Sequence, residues 1–156
     1  MNISAEIAHV LFLDIAEYSK ETTASQSRLV AELNRIVSES AAFQTASQNG
    51  QVMTLPTGDG MAIIFSGDLA APARCALELT ELLGTLRVRM GLHSGPVQRN
   101  QDITGRDNVA GEGINMAQRV MDATKVGSIS ISESYANWLR ELDDWKDRIG
   151  HARSIT

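Results

Sequence analysis

The stretch Leu55-Pro-Thr-Gly-Asp-Gly-Met-Ala-Ile-Ile-Phe65 decides the fold, because it places a carboxylate at a turn between two apolar runs. Glycines on both sides of Asp59 allow tight-turn torsions and a close approach of the backbone to a ligand. The run from Met61 to Phe65 is typical of a buried strand. The segment predicts a hairpin over Gln51 to Phe65 whose tip suits a metal ion or a metal-bound phosphate. Because the same residues are also ordinary turn formers, the hairpin alone does not define a site.

A second aspartate has a similar setting. Asp14 follows the apolar run from Val10 to Leu13, where polar residues take over. A charged side chain inside a buried strand costs several kcal/mol unless it is paired or bound to a metal. We therefore expect Asp14 at the exit of the sheet, where it converges with Asp59 if the two strands are neighbours.

Composition limits the function classes. The chain has 156 residues, of which 43% are apolar, and we expect one domain over residues 1–156. A net charge of −5 without a block of lysines and arginines predicts no nucleic-acid partner. The single cysteine, Cys75, excludes an internal disulfide and a multi-cysteine zinc site. No apolar run reaches membrane-spanning length and no signal peptide is evident, so we expect no membrane partner and a cytoplasmic location.

Strand and helix patterns alternate along the chain. Strands are predicted at Ala8 to Ala16, within the hairpin, at Leu86 to Ser94 and at Gly127 to Ser132; helices at Lys20 to about Phe43, Asp68 to Leu83, Val109 to Thr124 and Glu133 to about Leu142; and a loop or arm at Gln98 to Asn108. The order β-α-β-β-α-β, followed by another helix and strand, predicts an α+β fold with a ferredoxin-like βαββαβ core. In that core the strands that carry the two aspartates can be neighbours.

The predicted third helix adds two polar groups. Asn115 and Arg119 are four residues apart, so both project from one helical face while Ile114 and Ala117 face the core. An amide and a guanidinium presented together can bind a sugar oxygen and stabilise charge on a phosphoryl group. A solvated polar stripe is the alternative interpretation of the same pattern.

Four segments together resemble the ordered motifs of the class III nucleotidyl cyclases, the adenylate and guanylate cyclase catalytic domain. They are Leu11 to Ser19, Thr57 to Gly60, Arg89 to Pro96 and Gly111 to Arg119. The resemblance covers about Ala8 to Ser132, and four motifs in the right order are far more specific than any one of them.

The resemblance implies a metal site and a catalytic pair. Asp14 and Asp59 match the two metal-binding aspartates, and the carbonyl of Ile15 matches a backbone ligand, for two Mg²⁺ or Mn²⁺ ions in each active site. Asn115 and Arg119 match the pair that orients the ribose and stabilises the transition state.

The resemblance also implies a phosphate site. Arg89 matches a phosphate-contacting arginine. The segment that turns into the first helix would bind the triphosphate through its amides, as a helix start favours. Its residues are Ile15, Ala16, Glu17, Tyr18 and Ser19.

The implied reaction is attack of the ribose 3′-oxygen on the α-phosphorus of a nucleoside triphosphate, with loss of pyrophosphate. Metal ions would lower the cost of forming the alkoxide and neutralise charge on the phosphates. In this family the aspartates come from one subunit and the Asn and Arg from the other. The resemblance therefore implies a head-to-tail homodimer with two shared sites and an inactive monomer.

Two residues depart from the family pattern at positions that select the base. The base-selecting lysine of adenylate cyclases is Leu55 here, and the aspartate seven residues before the Asn is Asn108. Leu55 forms no hydrogen bond with a base edge, whereas Asn108 both donates and accepts. ATP bound through backbone contacts, a pyrimidine triphosphate and a promiscuous site all remain open. We favour UTP or CTP, as in the stand-alone cyclases of antiphage defence that make cyclic UMP or cyclic CMP.

A third departure lies at the C-terminal end. Many family members continue into a strand with a phosphate-contacting lysine, whereas this chain ends at Thr156. Either Lys125, Lys146 or Arg148 takes over that contact, or the segment has been trimmed. Two rival functions also remain: a degenerate domain that binds nucleotide without turnover, and a diguanylate cyclase, which the lack of a Gly-Gly-Asp/Glu-Glu-Phe turn disfavours.

Overall fold

The protein, as a computed structural model, is described over residues 4–149. The strands are β1 (Ser4–Ile15), β2 (Val52–Pro56), β3 (Gly60–Phe65), β4 (Val88–Gln101), β5 (Asp107–Ala110) and β6 (Ile129–Ile131). The helices are α1 (Thr23–Ser38), α2 (Ala41–Gln48), α3 (Ala71–Leu82), α4 (Glu112–Asp122) and α5 (Glu133–Arg140). The prediction of a trimmed C-terminal segment concerns the end of the chain, and residues 150–156 lie outside the described part.

The strands form one sheet in the order β2-β3-β1-β4-β5, in which neighbours are antiparallel, and β6 pairs with β4 in parallel. The first four strands along the chain give the order β2-β3-β1-β4, which is that of a ferredoxin-like core. The predicted α+β fold is therefore confirmed. The central strand β1 has β3 on one side and β4 on the other, so the hairpin that carries Asp59 lies directly beside it.

Alternation along β1 divides the core between two faces of the sheet. Leu11, Leu13 and Ile15 point into a cluster with α1, α2, α3 and α5, whereas Val10 and Phe12 point into a second cluster with α4. Only α4, among the helices of residues 4–149, contributes to that second cluster. Within the same residues, no helix is both long enough and apolar enough to cross a membrane.

The predicted helix over residues 20–43 is two helices. Thr22 caps α1, but Ser40 interrupts the pattern and caps α2 through the amide of Phe43. The Ser40 hydroxyl is fully buried and donates to the Glu78 carboxylate over 2.8 Å. A serine that satisfies both a helix start and a buried acid favours a break over a continuous helix.

The predicted loop over residues 98–108 is also wrong in part. β4 continues to Gln101, and β5 returns beside it, so Val109 belongs to a strand and α4 begins only at Glu112. The turn between them is closed by the Asp102 carboxylate, which accepts hydrogen bonds from the amides of Thr104 and Arg106. The exposed hairpin has polar residues on both faces, which hides the alternation that marks a strand.

Glycines bring α4 close to β4. A methyl group on Gly91 would lie 2.4 Å from the Met121 amide nitrogen and 2.7 Å from the Ala117 carbonyl oxygen. A methyl group on Gly113 would lie 2.7 Å from the Gly95 carbonyl oxygen. The backbones of the helix and the strand are therefore in direct contact, and this contact sets where Asn115 and Arg119 stand relative to the sheet.

We expect Gly91→Ala to lower the free energy of unfolding by about 2–3 kcal/mol, because the added methyl overpacks a backbone contact that cannot move alone. Urea unfolding followed by the fluorescence of the buried Trp145 measures the change. Gly105→Ala is the control: its φ of +82° is strained for alanine but nothing lies within 4 Å, so it should cost about 1 kcal/mol. Equal losses for the two variants would contradict the close packing of α4.

Candidate active site

The register of the central strand brings the two aspartates together. Asp14 is opposite Gly60 of β3 on one side and opposite Arg89 of β4 on the other. The Ile15 amide donates to the Asp59 carbonyl over 2.8 Å. Since a methyl group on Gly60 would lie 2.0 Å from the Leu13 carbonyl oxygen, glycine is required for the hairpin to approach β1 this closely.

Asp14 is the penultimate residue of β1, so it lies at the end of the sheet, as predicted. It is nevertheless buried, with 6% of its surface exposed, and it is paired with Arg89. The guanidinium donates from Nε to Oδ1 over 3.1 Å and from Nη2 to Oδ2 over 2.7 Å. A bidentate pair of this kind offsets the cost of burying the carboxylate.

Arg89 has a second acidic neighbour that the sequence reasoning missed. Its Nη1 donates to the Asp122 carbonyl over 3.3 Å, and its Nη2 lies 3.8 Å from the Asp122 carboxylate. The hydrogen bonds to Asp14 raise the pKa of Arg89, and the charges of Asp14, Asp122 and Asp59 act in the same direction. The sequence signal for this contact was the acidic residue Asp122 near the end of the helix that also carries Asn115 and Arg119.

The environment of Asp59 is short of positive charge. Burial raises the pKa of the Asp59 carboxyl, and the charge of Asp14 raises it further, whereas Arg89 opposes the shift. Two carboxylates thus share a single guanidinium that is already bonded to one of them. An added cation would stabilise both carboxylates.

A cleft of about 480 Å³ opens at these aspartates. Its lining comprises Asp14, Ile15, Ala16, Glu17, Tyr18, Ser19, Asp59, Arg89, Thr124, Lys125 and Val126. The structure therefore brings the predicted metal ligands and the predicted phosphate segment to one place. Of the cations proposed as a substitute phosphate contact, Lys125 lines the cleft, whereas Arg148 lies 5.3 Å from the Trp145 ring and lines another pocket.

Fewer residues of the predicted phosphate segment have free amides than the sequence suggested. The amides of Ile15 and Ala16 donate to the carbonyls of Asp59 and Arg87 over 2.8 Å, so they are not available to a ligand. Glu17 then adopts a left-handed φ of 58° and a short 3-10 turn follows. Within residues 4–149, the amides of Glu17, Tyr18 and Ser19 have no hydrogen-bond partner. Adjacent free amides at a turn are suited to an anion.

Asn115 and Arg119 lie outside this cleft. Both are exposed on α4 while Ile114 and Ala117 are buried, as the spacing predicted. Neither side chain has a bonding partner in the part of the chain from residue 4 to residue 149. One chain therefore presents the two halves of the predicted site at different places.

The predicted base-contacting residues also lie away from the cleft. Leu55 is half-buried on the edge strand β2 and packs against the cluster under α4. Asn108 is on β5 at the other edge of the sheet, opposite Asn100, and its neighbour Val109 rather than Asn108 enters that cluster. Their role in base selection stays a prediction.

The donor set fits a hard divalent cation. In the described range no group of three or more His, Cys, Asp or Glu side chains could hold a metal ion, so the site offers the carboxylates of Asp14 and Asp59 and the nearby backbone. Oxygen ligands of this type suit Mg²⁺ or Mn²⁺, which keep several waters or phosphate oxygens in their shell. Burial and the charge of Asp14 raise the pKa of Asp59, so a bound cation would favour its charged form.

Comparisons with known proteins agree on the fold. No protein-family model matches the sequence, and no curated sequence matches it. Among solved structures, the chain resembles a monomeric double mutant of the guanylyl cyclase domain of the RhoGC fusion protein from the aquatic fungus Blastocladiella emersonii, at 23% identity, over 94% of each chain, with a TM-score of 0.72. It also resembles a guanylate cyclase domain from Catenaria anguillulae in complex with GTP, at 24% identity, over 88% of this chain and 84% of that one, with a TM-score of 0.70.

A bacterial structure gives the same result. The adenylyl cyclase CyaB from P. aeruginosa is 18% identical over 91% of this chain and 84% of its own, with a TM-score of 0.71. The chain therefore has the fold of class III nucleotidyl cyclase catalytic domains, as its motifs indicated.

We expect Asp59→Asn to raise the melting temperature of the metal-free protein at pH 7. A raised pKa means that the charged carboxylate destabilises the fold, so a neutral amide removes a penalty that is fully present above the folded-state pKa. The gain should shrink as pH falls and vanish below the ordinary aspartate pKa. Asp143→Asn, at an exposed acid, is the control, and a gain that stays constant with pH would contradict the electrostatic origin.

Proposed function

We propose that this protein is a nucleotidyl cyclase, which converts a nucleoside triphosphate to a 3′,5′-cyclic monophosphate and pyrophosphate. The observation that carries the proposal is the meeting of Asp14 and Asp59 in one cleft, beside three amides that have no hydrogen-bond partner within residues 4–149. Carboxylates that hold metal ions next to amides that bind phosphate are the groups needed to place a triphosphate.

The chain's residues divide the work. The carboxylates of Asp14 and Asp59, with the Ile15 carbonyl, would hold two Mg²⁺ or Mn²⁺ ions, which would supply charge neutralisation and a lower pKa for the 3′-hydroxyl. The amides of residues 17–19 and the ammonium of Lys125 bind the β- and γ-phosphates. Asn115 orients the ribose so that its 3′-oxygen lies in line with the leaving pyrophosphate. Arg119 stabilises the negative charge that develops on the α-phosphoryl group.

The division of the site between two places argues for a homodimer. Asn115 and Arg119 are exposed and unpaired within residues 4–149, and they lie outside the acidic cleft. A head-to-tail dimer with two-fold symmetry would bring these groups of each chain to the cleft of the other and form two equivalent sites. A monomer would hold the triphosphate without the groups that act on it.

For the base, we propose a pyrimidine. Leu55 is aliphatic and half-buried, so it offers no hydrogen bond to an adenine edge, while the Asn108 amide complements either carbonyl or amino groups. UTP or CTP is the favoured substrate, and ATP is the alternative. We propose no nucleic-acid or membrane partner and a cytoplasmic location. We also propose that cyclic UMP or cyclic CMP acts as an antiphage signal.

We expect the purified protein with Mn²⁺ to form a cyclic monophosphate from at least one of the four triphosphates, detected by chromatography. Asp59→Ala and Arg119→Ala should each lower the rate by about a hundredfold or more, because each removes a charge that acts on the transition state. An equal mixture of the two variants should regain about a quarter of wild-type activity, since half of the dimers then hold one intact site. No product from any triphosphate would favour a nucleotide-binding domain without turnover.

We expect Leu55→Lys combined with Asn108→Asp to shift the product ratio toward cyclic AMP by about tenfold or more, because hydrogen-bonding groups at the two positions would discriminate between base edges. Competition between UTP, CTP and ATP in one reaction measures the ratio. Leu55→Met, which keeps the apolar surface, is the control. If the double variant and the control give the same ratio, these positions do not select the base.

A further inference from the structure

Arg89 is surrounded by acids that it cannot satisfy equally. It donates two hydrogen bonds to the Asp14 carboxylate, and its Nη2 is 3.8 Å from the carboxylate of Asp122. The Arg89 side chain is 28% exposed and Asp14 only 9%, whereas Asp122 is 56% exposed. The guanidinium therefore lies between a buried acid and a solvated acid.

The buried acid is also the predicted metal ligand. A guanidinium and a divalent cation on one carboxylate repel each other strongly in a partly buried site, where the effective dielectric constant is low. Both oxygens of Asp14 accept from Arg89 in the structure. Each oxygen keeps a second lone pair for a cation, but repulsion between that cation and the guanidinium weakens these hydrogen bonds and favours another partner for the charge of Arg89.

Asp122 is placed to be that partner. Its carbonyl already accepts from Nη1 over 3.3 Å, which anchors one arm of the guanidinium while the other arm is bonded to Asp14. Asp122 is the last residue of α4, and the backbone of α4 is fixed against β4 at Gly91. The Asp122 carbonyl is thus held in place by the fold, and its exposed carboxylate lies one side chain away from it.

We propose that Arg89 holds Asp14 in the metal-free protein and transfers its pairing to the Asp122 carboxylate when a divalent cation binds, so that Asp122 is a positioning residue for Arg89. The inference rests on the proposed metal-dependent function. In the metal-free state the guanidinium keeps the buried carboxylate compensated. In the metal-bound state the contact with Asp122 retains the guanidinium at the mouth of the cleft, on the side of Lys125.

Binding of Mn²⁺ alone to the full chain, without nucleotide, tests the exchange. The electron paramagnetic resonance signal of free Mn²⁺ gives the affinity, and melting in EDTA gives the metal-free stability. Asp122→Asn should weaken Mn²⁺ binding by about two- to fivefold, the size of one partly exposed ion pair. Arg89→Gln should tighten it by about threefold or more, because the competing cation is gone, and should lower the melting temperature in EDTA.

The double variant separates exchange from a general charge effect. In the Arg89→Gln background, Asp122→Asn should not change Mn²⁺ affinity any further, since no guanidinium remains that could pair with Asp122. Equal weakening in both backgrounds means that Asp122 acts on the metal as a remote charge, and this overturns the proposal. Arg89→Lys keeps the charge but not the bidentate geometry, so its Mn²⁺ affinity should lie between those of wild type and Arg89→Gln. If Arg89→Gln does not fold, Arg89→Lys replaces it in this test.

A control on the same helix completes the test. Glu112→Gln removes an exposed acid at the other end of α4 and should leave Mn²⁺ affinity unchanged. If wild type binds no Mn²⁺ saturably, the metal site fails and the proposed function fails with it. If wild type binds Mn²⁺ and Asp122→Asn binds it equally well, only the exchange is overturned and the cyclase proposal stands.

Discussion

The register of β1 between β3 and β4 is the constraint on which the rest of the structure depends. It sets Asp14 opposite Gly60 on one side and opposite Arg89 on the other. A slip of one residue would turn every side chain of β1 to the other face of the sheet. The buried carboxylate would then lose its guanidinium and its approach to Asp59 together.

The same constraint explains why the site is divided. The face of the sheet opposite α1, α2, α3 and α5 is covered by α4, whose backbone is held against β4 by glycines. The apolar side of α4 is used in that packing, which leaves Asn115 and Arg119 directed away from it. Under the proposed function, the fold builds one half of each site at the end of the central strands and the other half on an exposed helix, so a second chain completes it.

The sequence predicted the elements whose patterns are local. The apolar run of the hairpin, the helical spacing of α4 and the strand-helix order were sufficient for the ferredoxin-like topology and for the convergence of Asp14 with Asp59. The break at Ser40 and the polar β4-β5 hairpin were not predicted, because a capping hydroxyl and a two-faced polar strand carry little periodic signal. The ion pair between Arg89 and Asp14 was not predicted either, since the sequence interpretation assigned Arg89 to a phosphate ligand.

The pairing of Ile15 and Ala16 shows a further limit. From the sequence, all five residues of the turn were equally suited to bind phosphate, but only cross-strand geometry shows which amides are already bonded. Long-range contacts of this kind depend on the register of strands that are far apart in the chain. Local pattern therefore predicted the position of the site but not its free hydrogen-bond donors.

The most direct measurement for the central claim is a crystal structure with Mn²⁺ and a 3′-deoxy nucleoside triphosphate, with the metal located by anomalous scattering. The account predicts anomalous peaks between Asp14 and Asp59, with Asn115 and Arg119 of a second copy against the nucleotide. Peaks elsewhere, or a nucleotide bound without a second copy beside it, would contradict it.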